Sequence, residues 1–175
     1  MISKKICLVG DFNVGKTSLI RRFVDRQFSD QYLSTVGVKI SRKNVDLESV
    51  ADKENLQVQL LIWDLEGSTK FKAIAPTYLQ GSKGAIIVGD LTRPETIEHI
   101  QNHIELFLKT NPKGKVVVAL NKSDLVDEAK LTKFLVGYES SAKNVSGIYS
   151  TSAKTGKDVD RIFQTLTAKI MEASG

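Results

Sequence analysis

The sequence predicts a three-layer α/β protein. A mostly parallel six-stranded sheet, with one antiparallel edge strand, should lie between layers built from about five helices. Three observations predict this. Short apolar runs recur along the 175 residues, as buried parallel strands do. Segments with apolar residues three and four apart alternate with them, which covers both sheet faces with helices. A glycine-bearing octapeptide joins the first run to the first helical segment. No repeat, low-complexity stretch or Pro/Gly-rich linker interrupts the pattern, so residues 1–175 are expected to form a single domain.

The elements follow in order. Lys4-Lys5-Ile6-Cys7-Leu8-Val9 reads as a buried strand, and Leu19, Ile20, Phe23 and Val24 have helical spacing. Residues 36–63 hold two extended runs split by the polar stretch 49–55, a long hairpin that supplies the antiparallel edge strand. Trp63 reads as a strand-end core residue. Ile74, Ala75, Tyr78 and Leu79 form an apolar patch that either packs on the sheet or meets a partner. Residues 84–89 and 115–120 read as buried parallel strands, and 148–150 as a shorter one. Between them, Thr92-Arg93-Pro94-Glu95 reads as a helix start, with Thr92 as cap and Glu95 closing a capping box. Ile97, Ile100, Ile104 and Leu108 then carry a buried stripe. Val159, Ile162, Phe163, Leu166 and Ile170 carry the last one.

Composition excludes several classes. The net charge is +5, but the basic residues are scattered, without the clustered or aromatic-interleaved runs of nucleic-acid binders, so no nucleic-acid partner is expected. No apolar run reaches about 18 residues, the length of a membrane span. The amino-terminal residues lack the apolar core of a signal peptide. One cysteine, Cys7, rules out an internal disulfide and suits a reducing, cytoplasmic location. Cys7 itself reads as a small core residue. His99 and His103, four apart on a helix, share a face. With no third ligand placed, they read as a solvated flank rather than a metal site.

The octapeptide Gly10-Asp11-Phe12-Asn13-Val14-Gly15-Lys16-Thr17 carries the chemistry. Its glycines allow a tight turn and close approach of backbone N–H groups to phosphate oxygens. Lys16 reaches phosphate as a point charge, and the Thr17 hydroxyl suits Mg²⁺. The following helix, from Ser18, turns its positive end to the anion. Residues 11–18 are therefore assigned to phosphate binding, within a P-loop NTPase fold. This loop alone leaves ATPases, nucleotide kinases and GTPases open. Asn121-Lys122-Ser123-Asp124 follows a buried strand and narrows the choice. A carboxylate such as Asp124 accepts two hydrogen bonds from guanine N1–H and N2–H₂, a pair adenine lacks. Thr151-Ser152-Ala153-Lys154 brings backbone N–H groups toward the guanine O6. Asp64-Leu65-Glu66-Gly67 supplies a carboxylate for the Mg²⁺ shell and a glycine N–H for the γ-phosphate.

With these four motifs in order, the chain resembles the Ras-like small GTPases, most of all their Rab branch, over nearly its whole length. Phe28, Tyr32 and Thr35 fall where that family has its base-flanking Phe, its switch I Tyr and its magnesium-binding Thr. Thr35-Val36-Gly37-Val38 resembles the Rab switch I ending, and Phe71, Tyr78 and Gly81 the switch II aromatics and the glycine after them. The resemblance implies a Ras-like G domain that binds GTP and GDP with Mg²⁺ and hydrolyses GTP. Thr17, Thr35 and Asp64 would serve the metal. Lys16, Thr35, Gly67 and Ser68 would serve the reaction. Asn121, Lys122, Asp124, Ser152, Ala153 and Lys154 would hold the base, with the Lys122 stem along the ring. Residues 28–40 and 64–81 would meet effectors and regulators.

The chain departs from the family at five points. Ser68 stands where efficient members have the Gln that orients the attacking water. Phe12 stands in the loop where small residues are preferred. It either crowds the water and an incoming arginine finger or turns outward onto switch II. Glu66 replaces the usual Ala and reads as solvated. The last residues, Met171-Glu172-Ala173-Ser174-Gly175, lack prenylated cysteines, so no membrane anchor is expected in this chain. The hairpin insert is a few residues longer than usual, a tolerated change at an exposed turn. Ser68 and Phe12 together predict slow unassisted hydrolysis. The alternative is a GTP-dependent adaptor with negligible turnover. A P-loop ATPase or kinase would require Asp124 to be incidental.

Overall fold

The computed structural model describes residues 2–29, 38–48, 55–65, 75–139 and 144–174. Six strands form one sheet: β1 (Ile2–Gly10), β2 (Val38–Glu48), β3 (Asn55–Leu65), β4 (Gly84–Asp90), β5 (Lys115–Asn121) and β6 (Gly147–Ser150). Their order is β2-β3-β1-β4-β5-β6. All neighbours are parallel except β2 and β3, where Val38 faces Leu65 and Glu48 faces Asn55. This is the predicted mostly parallel sheet with one antiparallel edge strand.

Alternation of side chains along the strands divides the core in two. On one face, Ile6, Leu8, Leu60, Ile62, Ile86, Val88 and Val117 pack under α1 (Lys16–Asp25) and α6 (Val159–Ser174). The rings of Phe23 and Phe163 stack between these helices, centroids 4.0 Å apart and 3° from parallel. On the other face, Cys7, Ala85, Ile87, Val116 and Val118 pack under α2 (Ala75–Leu79), α3 (Pro94–Glu98), α4 (Ile100–Thr110) and α5 (Glu128–Glu139). Leu79, Ile100 and Phe107 are fully buried there. Each such side chain contributes about 1.5–3 kcal/mol through removal from water. Only His99 separates α3 from α4, so the two act as one layer element and, among the described residues, the helical layers have five members. The 12-residue α5 escapes individual prediction because its apolar residues do not keep to one side: Leu131 and Phe134 pack inward while Val136 is 64% exposed.

Four local readings change. Thr92 does not cap the helix. Its backbone N–H and hydroxyl both donate to Asp90 Oδ1, at 2.8 and 2.6 Å. The cap position is Arg93, and no side chain, Glu95 included, closes a box there. The Thr96 hydroxyl holds the turn instead, donating to the Arg93 carbonyl at 2.8 Å and accepting from the Asp90 N–H at 2.8 Å. Leu108 is only half-buried, and Phe107 takes its place in the stripe. Trp63 is half-buried, with the Lys5 ammonium 3.7 Å from its ring centroid. His99 and His103 are not a solvated flank; both bind Asp11, as described below. Cys7 is buried as expected, its Sγ 2.9 Å from Ser82 Oγ, and burial pushes its thiol up to about 11.

Candidate functional site

The carboxyl ends of β1, β3, β4 and β5 bring Gly10, Asp64, Asp90 and Asn121 to one edge of the sheet. Ligands of open α/β sheets bind at such an edge. Leaving β1, the chain turns through Asn13, φ 60°, and Gly15, φ 103°, into α1. Only glycine adopts the second conformation without strain. A Cβ on Gly15 would also strike the Asn121 side-chain amide, and one on Gly10 would strike the Val88 carbonyl.

Lys16 is nearly buried, and its ammonium donates to the Gly10 and Asp11 carbonyls at 3.0 and 2.9 Å. Burial drives its pKa down to about 8. The Asp64 and Asp11 carboxylates oppose that fall, and Arg93 adds to it. The Thr17 hydroxyl donates to Asp64 Oδ2 at 2.5 Å, and Asp64 is 2% exposed. Two hard oxygen donors side by side are the chemistry Mg²⁺ takes. Val14 is fully buried, Ser18 half-buried at the start of α1, and Asn13 exposed.

The first half of the loop is fastened to α3 and α4. His99 Nδ1 lies 2.5 Å from Asp11 Oδ2, and His103 Nε2 lies 2.8 Å from Asp11 Oδ1. An ionised carboxylate only accepts, so both imidazole nitrogens donate. Burial would raise the Asp11 pKa, but the bonds from His99 and His103 and their charge bring it below the usual carboxylate range. Among the described residues no group of three or more His, Cys, Asp or Glu is arranged to hold a metal ion. Phe12 is 49% exposed, its carbonyl accepting from Arg93 Nη2 at 2.6 Å.

The base-side motifs reach the same loop. Asn121 Nδ2 donates to the Val14 carbonyl at 3.0 Å, and the Thr151 hydroxyl donates to Asn121 Oδ1 at 3.1 Å. Lys122, in the left-handed region at φ 65°, donates to the Asn13 carbonyl at 3.2 Å and pairs with Asp90 Oδ2 at 2.8 Å. Asp124 is exposed, and one of its oxygens accepts from the Ser152 hydroxyl at 2.8 Å. Ala153 is buried and Lys154 exposed in the turn after β6. Phe28 is half-buried against the α1 face of the core. Tyr32, Thr35, Glu66, Gly67, Ser68, Phe71 and Ile74 lie outside the described residues.

Sequence reasoning missed Asp90, Arg93 and Arg22. Asp90 is fully buried and binds Thr92, Arg93 and Lys122. Burial acts against its charge, but the bonds from Lys122 and Thr92 outweigh that and hold its pKa low. Its place at the end of β4, opposite Asn121, was the available signal. Arg22, on α1, donates to carbonyls in the turn after β6, which no local pattern reveals.

This strand order, with a glycine loop leaving the strand third from the hairpin edge, defines a Ras-like G domain. Residues 5–172 match the Ras family model, and the chain belongs to that family. It is 34% identical over 168 residues to Ras-related protein RabC of Dictyostelium discoideum, covering 95% of this chain and 83% of that protein. It is 33% identical over 171 residues to GTP-binding protein ypt5 of Schizosaccharomyces pombe, covering 97% and 78%. Identity to human Ras-related protein Rab-22A is 33% over 168 residues, covering 95% and 82%. The protein is thus a small GTP-binding protein of Rab type. Among the described residues no helix is long and apolar enough to cross a membrane.

Proposed function

We propose that the protein is a molecular switch that cycles between GTP and GDP states and hydrolyses GTP slowly when unassisted. The observation that carries this reading is the junction of two motifs. Asn121 and Lys122 bond the carbonyls of Val14 and Asn13, so the carboxylate-bearing loop sits against the phosphate loop. In this reading the Asp124 carboxylate receives guanine N1–H and N2–H₂, and the Lys122 stem lies along the ring. Residues 11–18 cradle the phosphates. The depressed Lys16 pKa reflects an ammonium held in a dry site, where an anionic phosphate stabilises it strongly. Mg²⁺, when bound, neutralises charge on the β- and γ-phosphates. Thr17, Asp64 and Thr35 would hold it. Gly67 would donate its N–H to the γ-phosphate, and with Thr35 would order residues 28–40 and 64–81 for effectors and regulators.

Ser68 carries the expectation of slow hydrolysis, because its short hydroxyl does not span water and γ-phosphate as a Gln does. Phe12, half exposed within the loop, would add bulk where an arginine finger enters. The same two residues favour the second reading, an adaptor that binds GTP without turnover. Identifying the nucleotide that copurifies, and following its conversion with and without lysate, separates the two. GTP and ATP competing for the purified protein test the base assignment. Asp124→Asn should weaken guanine preference at least tenfold, by loss of a charge-assisted hydrogen bond of about 1.5–3 kcal/mol. Unchanged preference would show that Asp124 does not read the base, and equal competition by ATP would remove the guanine assignment itself.

A further inference from the structure

Arg22 makes contacts that neither helix stability nor core packing requires. It lies on α1, six residues past Lys16, and its guanidinium reaches across to the turn after β6. Nε donates to the Ala153 carbonyl at 2.7 Å, and Nη2 donates to the Lys154 carbonyl. A planar guanidinium holds two acceptors in a fixed fork, which a single ammonium does not.

We propose that Arg22 is a positioning residue for the guanine base, one that aims both the Lys154 N–H and the Asp124 carboxylate. The proposal rests on the guanine reading above.

Peptide units are planar and trans, so a fixed carbonyl fixes the next N–H in the opposite direction. Holding the Ala153 carbonyl toward α1 turns the Lys154 N–H away from α1. Holding the Lys154 carbonyl does the same for the Thr155 N–H, which donates to Ser152 Oγ at 3.1 Å. The Ser152 hydroxyl then donates to Asp124 Oδ1 at 2.8 Å. A continuous chain of bonds therefore runs from the guanidinium through one peptide unit and one hydroxyl to the carboxylate. The turn is closed on itself as well, Gly156 N–H donating to the Ser152 carbonyl at 2.8 Å. Arg22 is thus the fastening from α1, the helix that follows the phosphate loop, to the segment that would read the base.

The test compares GDP with inosine diphosphate, which lacks the 2-amino group that Asp124 would bind. Dissociation of each nucleotide is measured for wild type, Arg22→Met and Arg22→Lys, with thermal midpoints alongside. In Arg22→Met, GDP should leave roughly tenfold faster, the scale of one lost charge-assisted bond. Inosine diphosphate should be accelerated less, so that the ratio of the two rates shrinks about threefold or more. Arg22→Lys should recover thermal midpoint more than it recovers the ratio. An unchanged ratio in Arg22→Met, with only a lowered midpoint, would make Arg22 a structural clip and overturn the proposal. If Arg22→Met does not fold cooperatively, Arg22→Gln carries the same comparison. Wild-type protein that takes ATP as readily as GTP would fail the guanine reading itself, and the role of Arg22 with it. Guanine preference with an unchanged ratio in the variant fails the Arg22 proposal alone.

Discussion

Replacing Asp11 with Asn should loosen the phosphate loop from α3 and α4, and the cost follows from two unequal bonds. The His103 side chain is 9% exposed and Asp11 16%, so their bond to an ionised acceptor is worth about 1.5–3 kcal/mol. The His99 side chain is 46% exposed, and solvent screening leaves such a pair about 0–1 kcal/mol. The Asn carbonyl still accepts one bond, so the expected loss is about 2 kcal/mol, a large share of a domain's stability of about 5–15 kcal/mol. Urea unfolding at pH 7 with GDP and Mg²⁺ held constant measures it, since ligand binding adds to apparent stability. The pH dependence supplies a second check. Burial acts to raise the Asp11 pKa, but the His99 and His103 bonds lower it further than burial raises it. The folded state therefore binds this proton less tightly than the unfolded state does. The Asp11 contribution is complete above the ordinary carboxylate range and vanishes as pH falls through the depressed folded value. Wild-type and Asp11→Asn stabilities should converge in acid. A midpoint unchanged at pH 7 would refute the reasoning, as would a double variant with His103→Gln that costs the full sum of its singles.

Three further outcomes are expected. Ser68→Gln should raise the single-turnover GTP hydrolysis rate from an unassisted wild-type value below about 10⁻³ s⁻¹; no rise would shift the cause to Phe12 or to a partner. Phe163→Ala should lower stability by about 3–5 kcal/mol, because it opens a void against Phe23 between α1 and α6; thermal unfolding would register it, and a loss below about 1 kcal/mol would contradict that packing. Cys7, fully buried and with its thiol pushed up to about 11 by burial, should resist thiol reagents at pH 8 until urea unfolds the chain. Rapid labelling of native protein would show that β1 opens locally.

The strands were legible because a parallel strand buried on both faces is a continuous apolar run. Lys115–Leu120 and Gly84–Gly89 needed no partner to be recognised. The edge hairpin was legible for a different reason, its polar turn between two extended runs. Local chemistry misled at Thr92, a good cap by type, because the Asp90 carboxylate two residues earlier takes its hydroxyl and its N–H together. At the candidate site, the glycine loop and Asn121-Lys122-Ser123-Asp124 are contiguous motifs and could be read directly. The Asp11 clamp could not. Its histidines lie 88 and 92 residues from their acceptor, and helical spacing reports that two side chains share a face without reporting what that face meets. Arg22 was hidden in the same way, its acceptors being backbone carbonyls that carry no sequence signature.

The close approach of Gly15 to the Asn121 amide has an evolutionary consequence. Any larger residue at position 15 meets that amide and is strained by φ 103° besides. Shortening the side chain at 121 would make room, but it would leave the backbone strain and take away the bond to the Val14 carbonyl. No compensating substitution at one position therefore rescues a change at the other. A library randomised at both sites and selected for nucleotide retention should return the parental pair together, with few single-step intermediates between it and any alternative.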